Sequence, residues 1–154
     1  MISHKPAEDL LLSQVWHNVK EGLLADAESL ASELTRTYPD FSSGWYAASF
    51  IASKLGKIAN ADLFIDKALA RSPNNARFTL QKSLVLDSLG KTADAVAMAH
   101  SAAEQAPDDP DLLSEVGSFL SYCELHDDAA TVLRRAVDLS PNDAPAIQRQ
   151  PGRN

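Results

Sequence analysis

The sequence predicts an all-α protein, a row of antiparallel helix pairs with about eight helices and no sheet. Three observations carry the prediction. Pro39, Pro73, Pro107 and Pro141 recur at intervals of 34 residues, and a fixed period of roughly 20–50 residues marks a repeat architecture. In register with them run Ala27, Ala61, Ala95 and Ala129, and also Leu34, Ala68, Ala102 and Ala136. A further column holds Gly22, Gly56 and Gly90, with Glu124 in the last place. Finally, Ala and Leu supply 24 and 20 of the 154 residues, both are strong helix formers, and the period-two alternation of a strand is nearly absent.

The columns divide the chain into units 8–41, 42–75, 76–109 and 110–143, preceded by residues 1–7 and followed by 144–154. Each unit reads as a first helix, a glycine turn, a second helix and a proline stop. The first unit carries Leu11, Gln14, Val15 and Asn18, the second Trp45, Ala48, Ser49 and Ala52. The third has Thr79, Lys82, Ser83 and Leu86, within an apolar run of Phe78, Leu80, Leu84, Leu86 and Leu89 over 77–89. Asp94 and Ala95 then open its second helix. The fourth has Leu113, Val116, Gly117 and Leu120. Glycine suits the left-handed residue that ends a first helix. The alanine column permits close approach of the paired helices. Proline ends the second helix because the residue before it is driven out of the α region, and the Asn or Asp that follows can cap the next helix. The segment 144–154 opens like another first helix but meets Pro151 and Gly152, so it reads as an incomplete fifth unit.

The spacing resembles the tetratricopeptide repeat, whose pattern places W-x2-L-G-x2-Y, then A-x3-F, then P within 34 residues. Trp45, Ala48, Ser49, Ala52, Ala61, Ile65 and Pro73 follow that order, as do Leu113, Val116, Gly117, Leu120, Ala129, Leu133 and Pro141. The likeness spans about residues 8–143. It implies a right-handed α-solenoid superhelix whose first helices line an extended concave surface.

On that implied geometry the second, fifth, ninth and twelfth residues of each unit face inward. An apolar stripe results: Leu12, Trp16, Val19, Tyr46, Phe50, Leu80 and Leu84. In the fourth unit the same places hold Asp111 and the small, hydroxylated Ser114, Ser118 and Ser121. A patch of this kind exceeds what soluble monomers expose without use, and aromatic side chains are favoured interface anchors. The expected function is a non-catalytic interaction module that holds a peptide or an amphipathic partner helix. Core packing of the same residues is the competing reading. One subclass of the family grips a C-terminal carboxylate with paired Lys and Asn side chains. Its asparagines would fall at Trp16 and near Ala47, so that mode is not expected.

Two further readings remain. The chain is a helical region of a larger enzyme, such as a bacterial fusion of these repeats with a sulfotransferase, or it is a secretion-type chaperone for apolar segments. The last second helix offers Val132, Leu133, Ala136 and Val137 as a C-terminal packing edge, where self-association is expected.

The charge balance is −7, with 14 basic and 21 acidic residues, which argues against nucleic acid or an anionic membrane as partner. The imbalance lies in residues 78–154, where six basic residues face twelve acidic ones. No lysine or arginine occurs between Thr92 and Leu133. A solvated acidic face and steering toward a basic partner are both consistent with this. A single cysteine allows no internal disulfide and fits a reducing compartment. No apolar run reaches membrane-span length and none resembles a signal peptide, so the expected location is the cytoplasm. No cofactor or metal is expected. Gly90-Lys91-Thr92 ends like a phosphate loop, but the glycine required five residues before Gly90 is Val85. Cys123 and His126 lack two further ligands for a zinc site, and no nucleophile elbow occurs.

Overall fold

Glycine and proline place the breaks where the sequence expects them. The computed structural model describes residues 5–140, which form eight helices and no strand. They are α1 (Ala7–Lys20), α2 (Leu24–Thr37), α3 (Ser42–Lys54), α4 (Ile58–Arg71), α5 (Ala76–Ser88), α6 (Thr92–Gln105), α7 (Pro110–Tyr122) and α8 (His126–Leu139). Pro141 and the segment expected to begin a fifth unit, 144–154, lie outside the described residues.

The turn inside each pair depends on one left-handed residue. Gly22, Gly56 and Gly90 have φ of 79°, 77° and 83°, and Glu124 takes the same conformation at 64°. At the other end, the residues before the prolines leave the helical region, with φ of −127° at Tyr38, −137° at Ser72 and −135° at Ala106. Asn75 and Asp109 then cap α5 and α7 by accepting from the amides of Phe78 and Leu112. The second unit departs from this pattern. Phe41 holds the cap position of α3 and has no side-chain cap, while Asp40 binds Arg71 of α4 at 3.0 Å.

The alanine column sits where paired helices touch. Ala27, Ala61 and Ala95 are wholly buried and Ala129 nearly so. Ser49 Oγ donates to the carbonyl of Ala61 at 2.8 Å, and Ser83 Oγ donates to that of Ala95 at 2.6 Å. The same device thus joins α3 to α4 and α5 to α6. In the fourth unit Gly117 replaces the serine, and Leu133 of α8 fills the space: a Cβ added to Gly117 would lie 2.5 Å from its side chain.

Successive first helices pack on one another, α1 on α3, α3 on α5 and α5 on α7, whereas among the described residues no comparable row joins α2, α4, α6 and α8. The first helices therefore form the tight, inner side of the row and the second helices the wide, outer side. The apolar core is not continuous. One large cluster unites α5 to α8, around Leu80, Leu113, Val116 and Leu120. Another unites α1 to α3, around Val15, Leu34, Ala47 and Ile51. Between them lie only the small groups Ala52, Ala61, Val85 and Ile65, Ala68, Phe78. At this junction polar contacts add to the packing. Gln81 Nε2 donates to Ser49 Oγ and Ser53 Oγ, both at 3.1 Å, and Lys82 reaches Asp62 at 2.7 Å and Asp66 at 2.9 Å.

Candidate partner surface

The three aromatic residues among the expected inward positions of α1 and α3 meet on the inner side. The Trp16 ring lies 5.8 Å from Tyr46 and 5.4 Å from Phe50, the latter edge to face. Such geometry is favoured by the ring quadrupoles. Tyr46 stacks in turn on Phe78 of α5 at 5.2 Å. Lys54 places its ammonium 5.2 Å from the centre of the Phe50 ring. Trp16, Tyr46 and Phe50 are half-buried, so each gives part of its surface to the core and part to solvent. Leu12 and Val19 are also half-buried, packed against the core around Val15.

Beyond this aromatic shelf an ion pair crosses the inner face. Arg77 of α5 and Glu115 of α7 meet at 2.5 Å. Burial disfavours the Arg77 charge, but the hydrogen bond and the charge of Glu115 outweigh it and hold its pKa above the ordinary value. Tyr46 sits nearby. Burial raises its pKa, Arg77 acts to lower it, and Glu115 adds to the rise.

Three expected positions need correction, Leu80, Val132 and Ala136. Leu80 is only 2% exposed and belongs to the large C-terminal core cluster, so it offers no contact surface. Its register is that of Tyr46, but here the neighbouring helix α7 brings Leu112, Leu113 and Val116 into the core, and the leucine joins them. Leu84, one turn further, is 41% exposed. The expected C-terminal edge is also largely occupied. Val132 and Ala136 are buried in the chain's own core, each 5% exposed. Leu133 rests on Gly117. Val137 is half-buried, and Leu139 is exposed beside it.

The structure adds two features that the inward register alone does not reveal. A cleft of about 540 Å³ opens between α5 and α7, with Leu84, Phe119 and Tyr122 among its walls and Ser114 and Ser118 beside them. Every residue lining it comes from a first helix, so it opens on the inner side. Tyr122 is 74% exposed. It occupies the thirteenth place of its unit, the column of Lys20 and Lys54, both exposed as well. That column carried the signal. A second cleft, about 700 Å³, lies on the outer side, where α2 and α4 part over α3. Its floor includes Ala48 and Ile51, and the Lys57–Glu28 pair borders it at 2.6 Å. Trp45 lines the same cleft, fixed by its Nε1 donating to the Pro39 carbonyl at 2.7 Å and covered by Lys67 at 5.1 Å.

The motifs set aside in the sequence have structural roles. Gly90, Lys91 and Thr92 form the turn between α5 and α6, with Val85 buried behind it. Cys123 caps the end of α7, and both burial and Asp87 raise its thiol pKa. Among the described residues no three metal-ligating side chains cluster, and no helix is long and apolar enough to cross a membrane.

Residues 42–75 match the family model described as the tetratricopeptide repeat. The second unit is thus matched directly to that repeat. Solved structures extend the likeness to the whole row. TTC0263, a thermophilic tetratricopeptide protein of Thermus thermophilus, is 22% identical and superposes with a TM-score of 0.81, over 88% of this chain and 75% of that one. MamA of Desulfovibrio magneticus RS-1 is 14% identical, with a TM-score of 0.69 over 90% and 78% of the two chains. The type III secretion translocator chaperone SycD of Yersinia enterocolitica is 16% identical, with a TM-score of 0.64 over 86% and 93%. At these identities the likeness is one of fold. No curated protein matches in sequence. The eight helices are consistent with a helical solenoid of such repeats.

Proposed function

We propose that the chain is a non-catalytic interaction module that holds a peptide or an amphipathic partner helix on the inner face, with Trp16, Tyr46 and Phe50 as anchors. The observation that carries this reading is the convergence of three aromatic rings from two helices at 5.4–5.8 Å, all left partly open to solvent. Aromatic side chains in such clusters supply much of the binding energy at protein interfaces. Leu12, Val19 and Leu84 would extend the contact along the row; Leu80 would not. The partner is a protein or peptide rather than nucleic acid, given the net charge of −7.

Selection of peptides on the wild-type chain, followed by titration of the Phe50→Ala and Trp16→Ala/Phe50→Ala variants, tests the proposal. Loss of one anchor should weaken a selected peptide about tenfold, the effect of about 1.4 kcal/mol. Undiminished affinity in a double variant that keeps its helical spectrum would remove the shelf from the reading.

A second reading is favoured by one observation. SycD, a translocator chaperone, is matched over 93% of its length. On that analogy the inner face would shelter apolar segments of a secreted protein before export. Protection of such a segment from proteolysis by the wild type, and not by Phe50→Ala, separates this reading from simple scaffolding.

A further inference from the structure

The cleft between α5 and α7 has a chemistry different from the aromatic shelf, and the cations of the chain show what it lacks. In the second unit two aromatic rings are each covered by a lysine of the chain itself, Phe50 by Lys54 and Trp45 by Lys67. Tyr122 is more exposed than either, at 74%, and no such lysine or arginine covers it among the described residues. It stacks on Phe119 at 6.4 Å, which holds its ring plane in place. Beside it stand two carboxylates. Glu115 is already paired with Arg77. Asp87 accepts a hydrogen bond from Thr92 Oγ1 at 2.9 Å, and among the described residues no lysine or arginine pairs with it. The sequence from Thr92 to Leu133 supplies no cation that could do so.

We infer that this cleft is a subsite for a basic side chain of the partner, an arginine or a lysine whose aliphatic stem lies against Leu84. Its charged head would meet the Tyr122 ring and the Asp87 carboxylate together. Both attractions act on one cation. An exposed ring attracts a guanidinium through its quadrupole, and a guanidinium can share hydrogen bonds with a carboxylate in one plane. The serine hydroxyls of Ser114 and Ser118 leave room at the opening where larger side chains would close it. The inference rests on the reading of the inner face as the partner surface and adds a direction to it. The column that carries Lys20 and Lys54 at one end carries Tyr122 at the other, so a bound segment would place its basic end against α7 and its apolar part against α1 and α3.

The test uses the full chain with two synthetic peptides, acetyl-Leu-Ala-Leu-Leu-Arg-Ala-Arg-amide and its counterpart with glutamine in place of both arginines. Amide chemical-shift perturbation locates each peptide and gives its affinity. The arginine peptide should perturb Asp87, Ser118 and Tyr122 and bind about fivefold more tightly than the glutamine peptide, the size expected of one exposed cation–π contact with one exposed ion pair. Asp87→Asn and Tyr122→Ser should each reduce that preference while leaving the glutamine peptide unaffected. Tyr122 is exposed and Asn can still accept from Thr92, so both variants should fold. Equal binding of the two peptides, or a preference that survives both substitutions, overturns the subsite. Perturbations confined to α1 and α3 with either peptide would overturn the subsite and leave the aromatic shelf standing. No perturbation on any inner helix would overturn both.

Discussion

Lys82→Ala should divide the solenoid into two unequally stable halves. The apolar core thins between α4 and α5, and Lys82 spans that junction to Asp62 and Asp66. Its side chain is 18% exposed and that of Asp62 33%, so this bond is partly shielded and contributes about 1.5 kcal/mol as a hydrogen bond between charged groups. Asp66 is 55% exposed, and its share falls to about 0.5 kcal/mol, as for surface pairs. Truncation also leaves two carboxylates four residues apart on α4, a repulsion of about 0.3 kcal/mol. The expected loss is about 2 kcal/mol, or a fall in Tm of about 4–8 °C for a chain of this size. In a linear array the loss falls on one nearest-neighbour interface. The two tryptophans, Trp16 and Trp45, both lie in the first two units, so their fluorescence reports that half alone, while far-ultraviolet circular dichroism reports all eight helices. In urea the two transitions should coincide for the wild type and separate for Lys82→Ala. Coincident transitions with a loss below about 0.5 kcal/mol would refute the view of this junction as a polar joint.

Three other outcomes follow from single residues. Glu124 takes the left-handed conformation that glycine takes in the other three turns, so Glu124→Gly should stabilise by about 0.5–1 kcal/mol after the entropy gained by the unfolded chain is counted. Gly56→Ala, whose new Cβ meets nothing within 4 Å, should destabilise by about 1 kcal/mol through backbone strain alone; thermal melts check both. Gly117→Ala would set a Cβ 2.5 Å from the Leu133 side chain and should cost about 1–3 kcal/mol. The cost should largely vanish in a Leu133→Ala background, which a double-mutant cycle would show. Stability should also fall in alkali. Tyr46 and Lys82 both have folded pKa values above their ordinary 10.0 and 10.5. The unfolded chain therefore loses these protons first, and stability present below pH 10 drains away as pH rises through the folded values. Urea midpoints measured across that range should decline, less steeply in Tyr46→Phe; a flat profile would contradict the assignment.

The period made the architecture legible because proline, glycine and alanine each act locally. Pro73 stops α4 whatever surrounds it, Gly56 permits a turn that few other residues accept, and Ala61 admits a neighbouring helix by its size alone. The inner surface was only partly legible, because exposure at a given register depends on the neighbouring helix. Tyr46 and Leu80 hold the same place in successive units. One stays partly open on an aromatic shelf, and the other is buried because α7 contributes Leu112, Leu113 and Val116 beside it. Val132 and Ala136 are not an open edge for a similar reason: α8 packs on α7 and buries them in the chain's own core. The converse holds for Tyr122. It stacks on the core residue Phe119 yet stays 74% exposed, and its column signals only that the position is exposed, as Lys20 and Lys54 are. Repetition therefore specifies where backbone elements lie, while departures from repetition specify what the surface offers. Lys54, Ser88 and Tyr122 share one column and differ in charge, size and aromaticity. If a partner lies along the inner face, the basic subsite inferred at Tyr122 and Asp87 would give it a polarity that the residues making the repeats alike do not.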